Sequence, residues 1–323
     1  MPIPLGHAST ISTLLDAAHG PRFHHAWLFI GPEGVGKACV ARAAAARLLA
    51  ESAGPPPEGA GLSLDPDHRI ARLIDAQAHS DFIWMERALN EKTDKRARNI
   101  SVDQVRAMSA KFSLAPSHSQ RRIVVIDSID DLEGAAANAL LKSLEEPPSG
   151  TIFFLISHMP GRLLPTIRSR CRVLRFATLC DADMRAVLRA ELPEADEAEV
   201  AALIAAAEGA PGKALALAGL RIDEIDAALA TIARTGDPNN AARAALASQL
   251  ALKAALPRYE AFLKRAPSFI ATQARHRQDA PLRDAIALYQ RATQLAATAP
   301  IHNLDPQSAV FELCGLVAGL ART

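Results

Sequence analysis

The sequence predicts an α/β domain built on a parallel sheet, followed by a small helical unit and a larger all-helical one. Three observations carry this. The apolar run Ala26–Ile30 (AWLFI) ends in a glycine-rich loop that opens a helical stretch. Two more strand-length apolar runs, IVVI and TIFFLI, alternate with helical patterns, which implies βαβ crossovers and parallel pairing. After about Phe176 the strand signal fades and helical periodicity continues. The expected divisions are residues 1–178, 179–218 and 219–323, in keeping with two or three domains for a chain of 323 residues.

Each element has a local reason. AWLFI is a short continuous apolar run, as in a strand covered on both faces. An Ala/Arg-rich helix follows over Lys37–Ala50, and the Pro and Gly density of Ser52–Pro66 makes that stretch a loop. Phe82–Met85 reads as a further strand. Ser101 and Gln104 form a capping box, and Val102, Val105, Met108 and Phe112 trace one helical face. Ile123–Ile126 (IVVI), ending in Asp127, is a buried strand. Ala137, Leu140, Leu141 and Leu144 share a helical face that Pro147 and Pro148 end, and Thr151–Ile156 (TIFFLI) is the next strand. Asp181–Ala218 is helical, with GAPGKALAL near its end. In the last helix Asp305 is the cap, Pro306 suits the first turn, and Val310, Leu313, Cys314, Val317 and Leu320 share a face.

Composition excludes several classes. With 49% hydrophobic and 22% charged residues, the chain is neither disordered nor collagen-like. The 36 basic side chains against 35 acidic ones give +1, too little for a chain coated with phosphate-binding groups, so any nucleic-acid contact is local or made through partners. The four cysteines form no CxxC, so neither a zinc knuckle nor a disulfide framework is legible. MPIPLGHAST has no basic segment before an apolar core, and the longest apolar runs are strand-length, so a cytoplasmic protein with no membrane association is expected.

Gly31-Pro-Glu-Gly-Val-Gly-Lys37 fits GxxxxGK between a strand and a helix, the context that a phosphate loop requires. Gly31, Gly34 and Gly36 let backbone N–H groups curl around phosphates, and Lys37 reaches the terminal ones. The next residue, Ala38, replaces the Ser or Thr whose hydroxyl ligates Mg²⁺. Asp127 ends its strand where a carboxylate would face that metal, or it caps the following turn. Ser128 stands where hydrolysing relatives of this strand carry a water-orienting glutamate. ATP is therefore expected to bind weakly, if at all, and without hydrolysis. Downstream, Arg168, Arg170, Arg172 and Arg175 alternate with Ser169, Cys171, Val173 and Leu174. The pattern fits a solvated edge strand or an arginine finger for a neighbouring subunit's nucleotide, and spacing alone leaves both open.

HAWLFIGPEGVGK (His25–Lys37), ISVDQVR (Ile100–Arg106), NALLKSLEEPP (Asn138–Pro148) and TIRSRC (Thr166–Cys171) together resemble the bacterial clamp loader subunits. This is the AAA+ family that includes the gamma/tau and delta-prime subunits of DNA polymerase III. GAPGKALAL (Gly209–Leu217) and Asn303–Pro306 extend the likeness over nearly the whole chain. The resemblance implies an AAA+ P-loop domain, a helical lid and a C-terminal helical collar for ring formation. It also implies that Arg170, in Ser169-Arg170-Cys171, serves the neighbour's ATP site. Three departures fall on the chain's own site: Ala38, Ser128, and Gly212 beside Lys213 where motor subunits carry a sensor arginine. That combination is similar to the delta-prime branch, a stator without ATPase activity of its own.

Implied partners are gamma/tau-like motors and a delta-like subunit, with the sliding clamp and primed DNA met through the complex; nucleotide transfer belongs to the polymerase holoenzyme. An active gamma/tau-like ATPase and a pure scaffold are the alternatives. Family members commonly hold a four-cysteine zinc module where this chain has the cysteine-free Ser52–Pro66, so no zinc or other metal site is expected, and His68 and His79 just beyond read as surface residues. Ser157-His158 falls where the family places a polar phosphate sensor, a position that equally suits a turn cap.

Overall fold

The computed structural model describes residues 4–20, 22–90, 95–113, 116 and 120–322. The chain divides into two units, Met1–Pro193 with Ala207–Lys213, and Glu194–Ala206 with Ala214–Thr323. The first unit contains, in order, α1 (Ala8–Ala18), β1 (Ala26–Ile30), α2 (Lys37–Ala53), α3 (Arg69–Asp75), β2 (Phe82–Met85), β3 (Leu89–Asn90), β4 (Lys95–Arg96) and α4 (Val102–Ala110). There follow β5 (Arg122–Asp127), α5 (Gly134–Glu145), β6 (Thr151–Ser157), α6 (Pro165–Arg168), β7 (Arg172–Arg175) and α7 (Asp181–Glu191).

The five-stranded sheet has the order β2-β5-β6-β1-β7, and its pairs are parallel. Strand alternation divides its side chains between two layers. Trp27, Phe29, Val125 and Phe154 pack with α2, while Leu28, Val124, Phe153 and Leu155 pack with Val105 of α4 and Leu140 of α5. Helix α2 is buried around most of its circumference, through Val40, Ala41, Ala44, Ala45 and Leu48 among others. Small alanines let it lie close to the sheet, which is why its sequence shows no polar stripe. The capping box of α4 forms in both directions, with Gln104 N–H donating to Ser101 Oγ (3.3 Å) and Ser101 N–H to Gln104 Oε1 (3.1 Å). Strand β7 is the sheet's edge: Leu174 is buried, Arg172, Val173 and Arg175 are exposed, and Arg172 stacks over the Trp27 ring at 5.0 Å.

Helices α8 (Glu197–Ala207) and α9 (Pro211–Leu217) are each shared between the units. The second unit continues with α10 (Ile222–Thr235), α11 (Ala241–Leu250), α12 (Leu256–Ala274), α13 (Asp279–Ile301) and α14 (Pro306–Ala318) around Ile225, Leu229, Phe262, Ile270, Leu313 and Val317. Asp305 caps α14, its carboxylate accepting the Ser308 N–H at 2.8 Å. No described helix is long and apolar enough to cross a membrane.

The proline-rich stretch after α2 is tied down by one side chain. Arg47, 9% exposed, donates Nη1 to the carbonyls of Gly59 and Ser63, both at 3.1 Å, and Nε to Glu51 at 2.7 Å. Leu62 and Leu64 are buried beneath. The Arg47→Met chain keeps the apolar stem and loses the donors. It is expected to lose about 1–3 kcal/mol of stability, seen as a lower denaturation midpoint, with faster proteolytic cutting between residues 54 and 66.

Candidate functional site

The loop begins where β1 ends. A Cβ on Gly31 would run into the Phe176 carbonyl oxygen, so the first glycine is required by the close approach of the chain leaving β7. Gly34 (φ 81°) and Gly36 (φ 104°) take left-handed conformations that side chains disfavour, and Gly36 is the N-cap of α2. Lys37, the first helical residue, is 2% exposed, and its Nζ donates to the carbonyls of Gly31 and Pro32, both at 2.6 Å. Burial lowers its pKa to about 8, against the opposing pull of Asp127, Asp130 and Glu33. The Val35 carbonyl accepts a hydrogen bond from His7 Nε2 (2.8 Å). Among the described residues, none accepts from the amides of Gly34, Val35 and Gly36. The donor set for an anion is thus present, whereas Ala38 offers no oxygen to a metal.

Gly212 lies directly on this loop. Its N–H donates to the Gly34 carbonyl at 2.8 Å, and a Cβ on Gly212 would stand 3.0 Å from Gly34 Cα. A side chain at position 212 would require the loop to give by a few tenths of an ångström. Lys213 is exposed, its N–H held by the Ala210 carbonyl at 2.9 Å.

The end of β5 is organised by Asp130. Its carboxylate accepts from Ser128 Oγ (2.9 Å), Ser157 Oγ (2.8 Å) and the N–H groups of His158 (2.5 Å) and Met159 (3.3 Å). With four donors on it, Asp130 is a strap between β5 and β6. Ser128 completes a turn, its Oγ accepting the Asp130 N–H at 3.2 Å. Ser157, fully buried, caps no turn of its own among the described residues; its hydroxyl reaches across from β6 to Asp130. Burial raises the Asp127 pKa, opposed by His158 and Lys37. It lowers that of His158, which Lys37 lowers further, and the buried His158 Nδ1 has no hydrogen-bond partner among the described residues.

Gly31, Gly34, Gly36, Lys37, Ala38 and Asp127 therefore come together with His158 and Asp130, while Ser169, Arg170 and Cys171 lie elsewhere. Trp27 pairs with Arg172 and Ile30 with Arg175, so the turn carrying Arg170 lies at the amino end of β1 and the loop at its carboxyl end. Those ends are about 13 Å apart along the strand. Ser169 is the C-cap of α6, its Oγ donating to the Thr166 carbonyl at 3.1 Å. Arg170 donates Nη1 to that carbonyl at 2.9 Å, and its Nη2 lies 2.6 Å from Glu145 Oε1. Burial pushes the Cys171 thiol up to about 12, which makes it an inert packing group.

His68 and His79 turn their rings onto their own backbone, Nδ1 accepting from Ile70 N–H (3.2 Å) and Asp81 N–H (3.1 Å). His79 is 4% exposed, so it is a core residue rather than a surface one. Sequence reasoning missed the hub role of Asp130, although a Ser two residues before an Asp after a strand is a turn signal. His7 gave no local signal, since its partner is 28 residues away.

The buried ammonium of Lys37 has a pH signature. Its protonated form is penalised in the fold and not in the unfolded chain, so between about pH 8 and the usual lysine value the unfolded chain holds more protons. Stability owed to this residue therefore rises with pH across that window. Urea midpoints of the natural chain, set against Lys37→Met, are expected to improve on going from about pH 7.5 to 9.5; an unchanged gap would refute the assignment.

Residues 6–180 match the family described as DNA polymerase III, delta subunit. The chain is 40% identical over 147 residues to the DNA polymerase III subunit delta' of Pseudomonas aeruginosa, covering 46% of this chain and 41% of that protein. It is 34% identical over 205 residues to subunit delta' of Escherichia coli (63% and 57%). It is 31% identical over 219 residues to subunit tau of Bacillus subtilis (66% and 36%). The matches span less than two thirds of each relative's length. A match over residues 6–180 takes in the glycine loop, the strand ending in Asp127 and the SRC turn, and the chain belongs to the DNA polymerase III delta subunit family.

Proposed function

We propose that the chain is a stator of the DNA polymerase III clamp loader, with a degenerate ATP site of its own and Arg170 given in trans to a neighbouring motor. In this reading gamma/tau-like motors and a delta-like subunit complete a cytoplasmic ring that opens the sliding clamp and places it on primed DNA. The helices over residues 179–218 act as a lid and residues 219–323 as the collar. ATP binds weakly or not at all, and the chain does not hydrolyse it.

One observation carries the trans reading: Arg170 and the chain's own loop are at opposite ends of β1. A guanidinium there reaches nucleotide only on another subunit. Ala38 without a metal-binding oxygen, Ser128 spent on a turn, and Gly212 laid on Gly34 support the loss of hydrolysis. When bound, ATP would meet the amides of Gly34, Val35 and Gly36 and the ammonium of Lys37, and Lys37 must first leave the carbonyls of Gly31 and Pro32. Identity to a tau subunit keeps the motor alternative in view, but a motor needs the metal ligand that Ala38 lacks.

In a reconstituted loader with DNA and clamp, Arg170→Ala is expected to lower ATPase by roughly tenfold or more at unchanged ring assembly. An unchanged rate would leave the scaffold reading. The isolated chain is expected to show no ATP turnover, and measurable turnover would favour the motor reading.

A further inference from the structure

The guanidinium of Arg170 is already engaged. Its pair with Glu145 is half-exposed, the two side chains being 34% and 48% accessible. Glu145 is the last residue of α5, and Glu146 follows as its C-cap. A helix C-terminus carries partial negative charge, so cations are favoured there and carboxylates disfavoured. Lys142 meets that preference, whereas Glu145 and Glu146 run against it, and of the two Glu145 is the one that meets Arg170. The electrostatics of α5 give no reason for a carboxylate at this position, whereas its contact with Arg170 does.

We propose that Glu145 is a positioning residue that parks Arg170 in cis, holding it against the end of α5 until the phosphates of a neighbouring subunit's nucleotide are offered. This rests on the trans reading above. A half-exposed Arg–carboxylate pair is weak, and a phosphate, with more charge and more acceptor oxygens, is the stronger partner for a guanidinium. The exchange therefore runs toward phosphate when a nucleotide site is presented and back to Glu145 when it is withdrawn. Thr166 takes part in the parked state, since its carbonyl accepts from Nη1 at 2.9 Å. Removing the carboxylate leaves the arginine available before the stimulus arrives.

The test uses the full chain in a reconstituted loader, with Glu145→Gln, Arg170→Ala and the double variant, and reads ATPase with and without DNA and clamp. Glu145→Gln is expected to raise the unstimulated rate by about two- to fivefold, to change the stimulated rate less, and to have no effect once Arg170 is alanine. Melting of the isolated full chain is expected to be unchanged or slightly higher for Glu145→Gln, because a carboxylate leaves a helix C-terminus. Unchanged ATPase with Arg170→Ala still slow would overturn the parking role alone. So would a Glu145→Gln rate lowered in parallel with Arg170→Ala, since Glu145 would then aim the finger. A lower melting temperature with unaltered ATPase would mark the pair as structural. If Arg170→Ala itself changes nothing, the finger reading fails and takes this inference with it.

Discussion

Strand β1 is the member on which the first unit is registered. It is buried along its whole length and paired in parallel with β6 on one side and β7 on the other. A one-residue slip would turn Trp27 and Phe29 out of the layer they share with α2 and send Leu28 in their place. That constraint is what separates the glycine loop from the arginine turn, because one follows β1 and the other precedes β7. Parallel pairing puts all carboxyl ends together, so Asp127 and Ser157 arrive beside the loop without any local instruction to do so.

Around the loop the backbone is tightly packed. A Cβ on Gly34 or on Gly212 would come within 3.0 Å of the facing segment, and the amide of Gly212 binds the carbonyl of Gly34. The Lys37 ammonium is satisfied by the loop's own carbonyls, and burial brings its pKa down to about 8. The turn thus keeps its amides and the nearby Asp127 carboxylate, while Ala38 brings no side-chain oxygen.

Much of this was legible in the sequence because it is local. The apolar runs AWLFI, IVVI and TIFFLI became β1, β5 and β6; the capping box at Ser101 formed; and Pro147 and Pro148 ended α5. What was not legible depends on tertiary position. Helices α1 and α6 carry short or weak patterns that only packing completes. Helix α12 runs through Pro267, against the usual stop signal. The helices between residues 179 and 218 had one composition and yet divide between two units. Within the site, the loop was readable from its spacing, while the roles of Asp130, His7 and Glu145 depend on partners 28, 28 and 25 residues away.

The tie made by Arg47 has a consequence for how this chain varies. Its acceptors in the proline-rich stretch are the carbonyls of Gly59 and Ser63, groups that every residue type supplies. The constraint thus lies on the arginine, on the buried Leu62 and Leu64, and on Gly59 and Gly61, whose left-handed backbone (φ 103° and 63°) disfavours a side chain. Held this way, the exposed residues of 54–61 apart from Gly59 and Gly61 are free to change side chain without loosening the attachment, so the path of the stretch is set by its backbone and not by its composition.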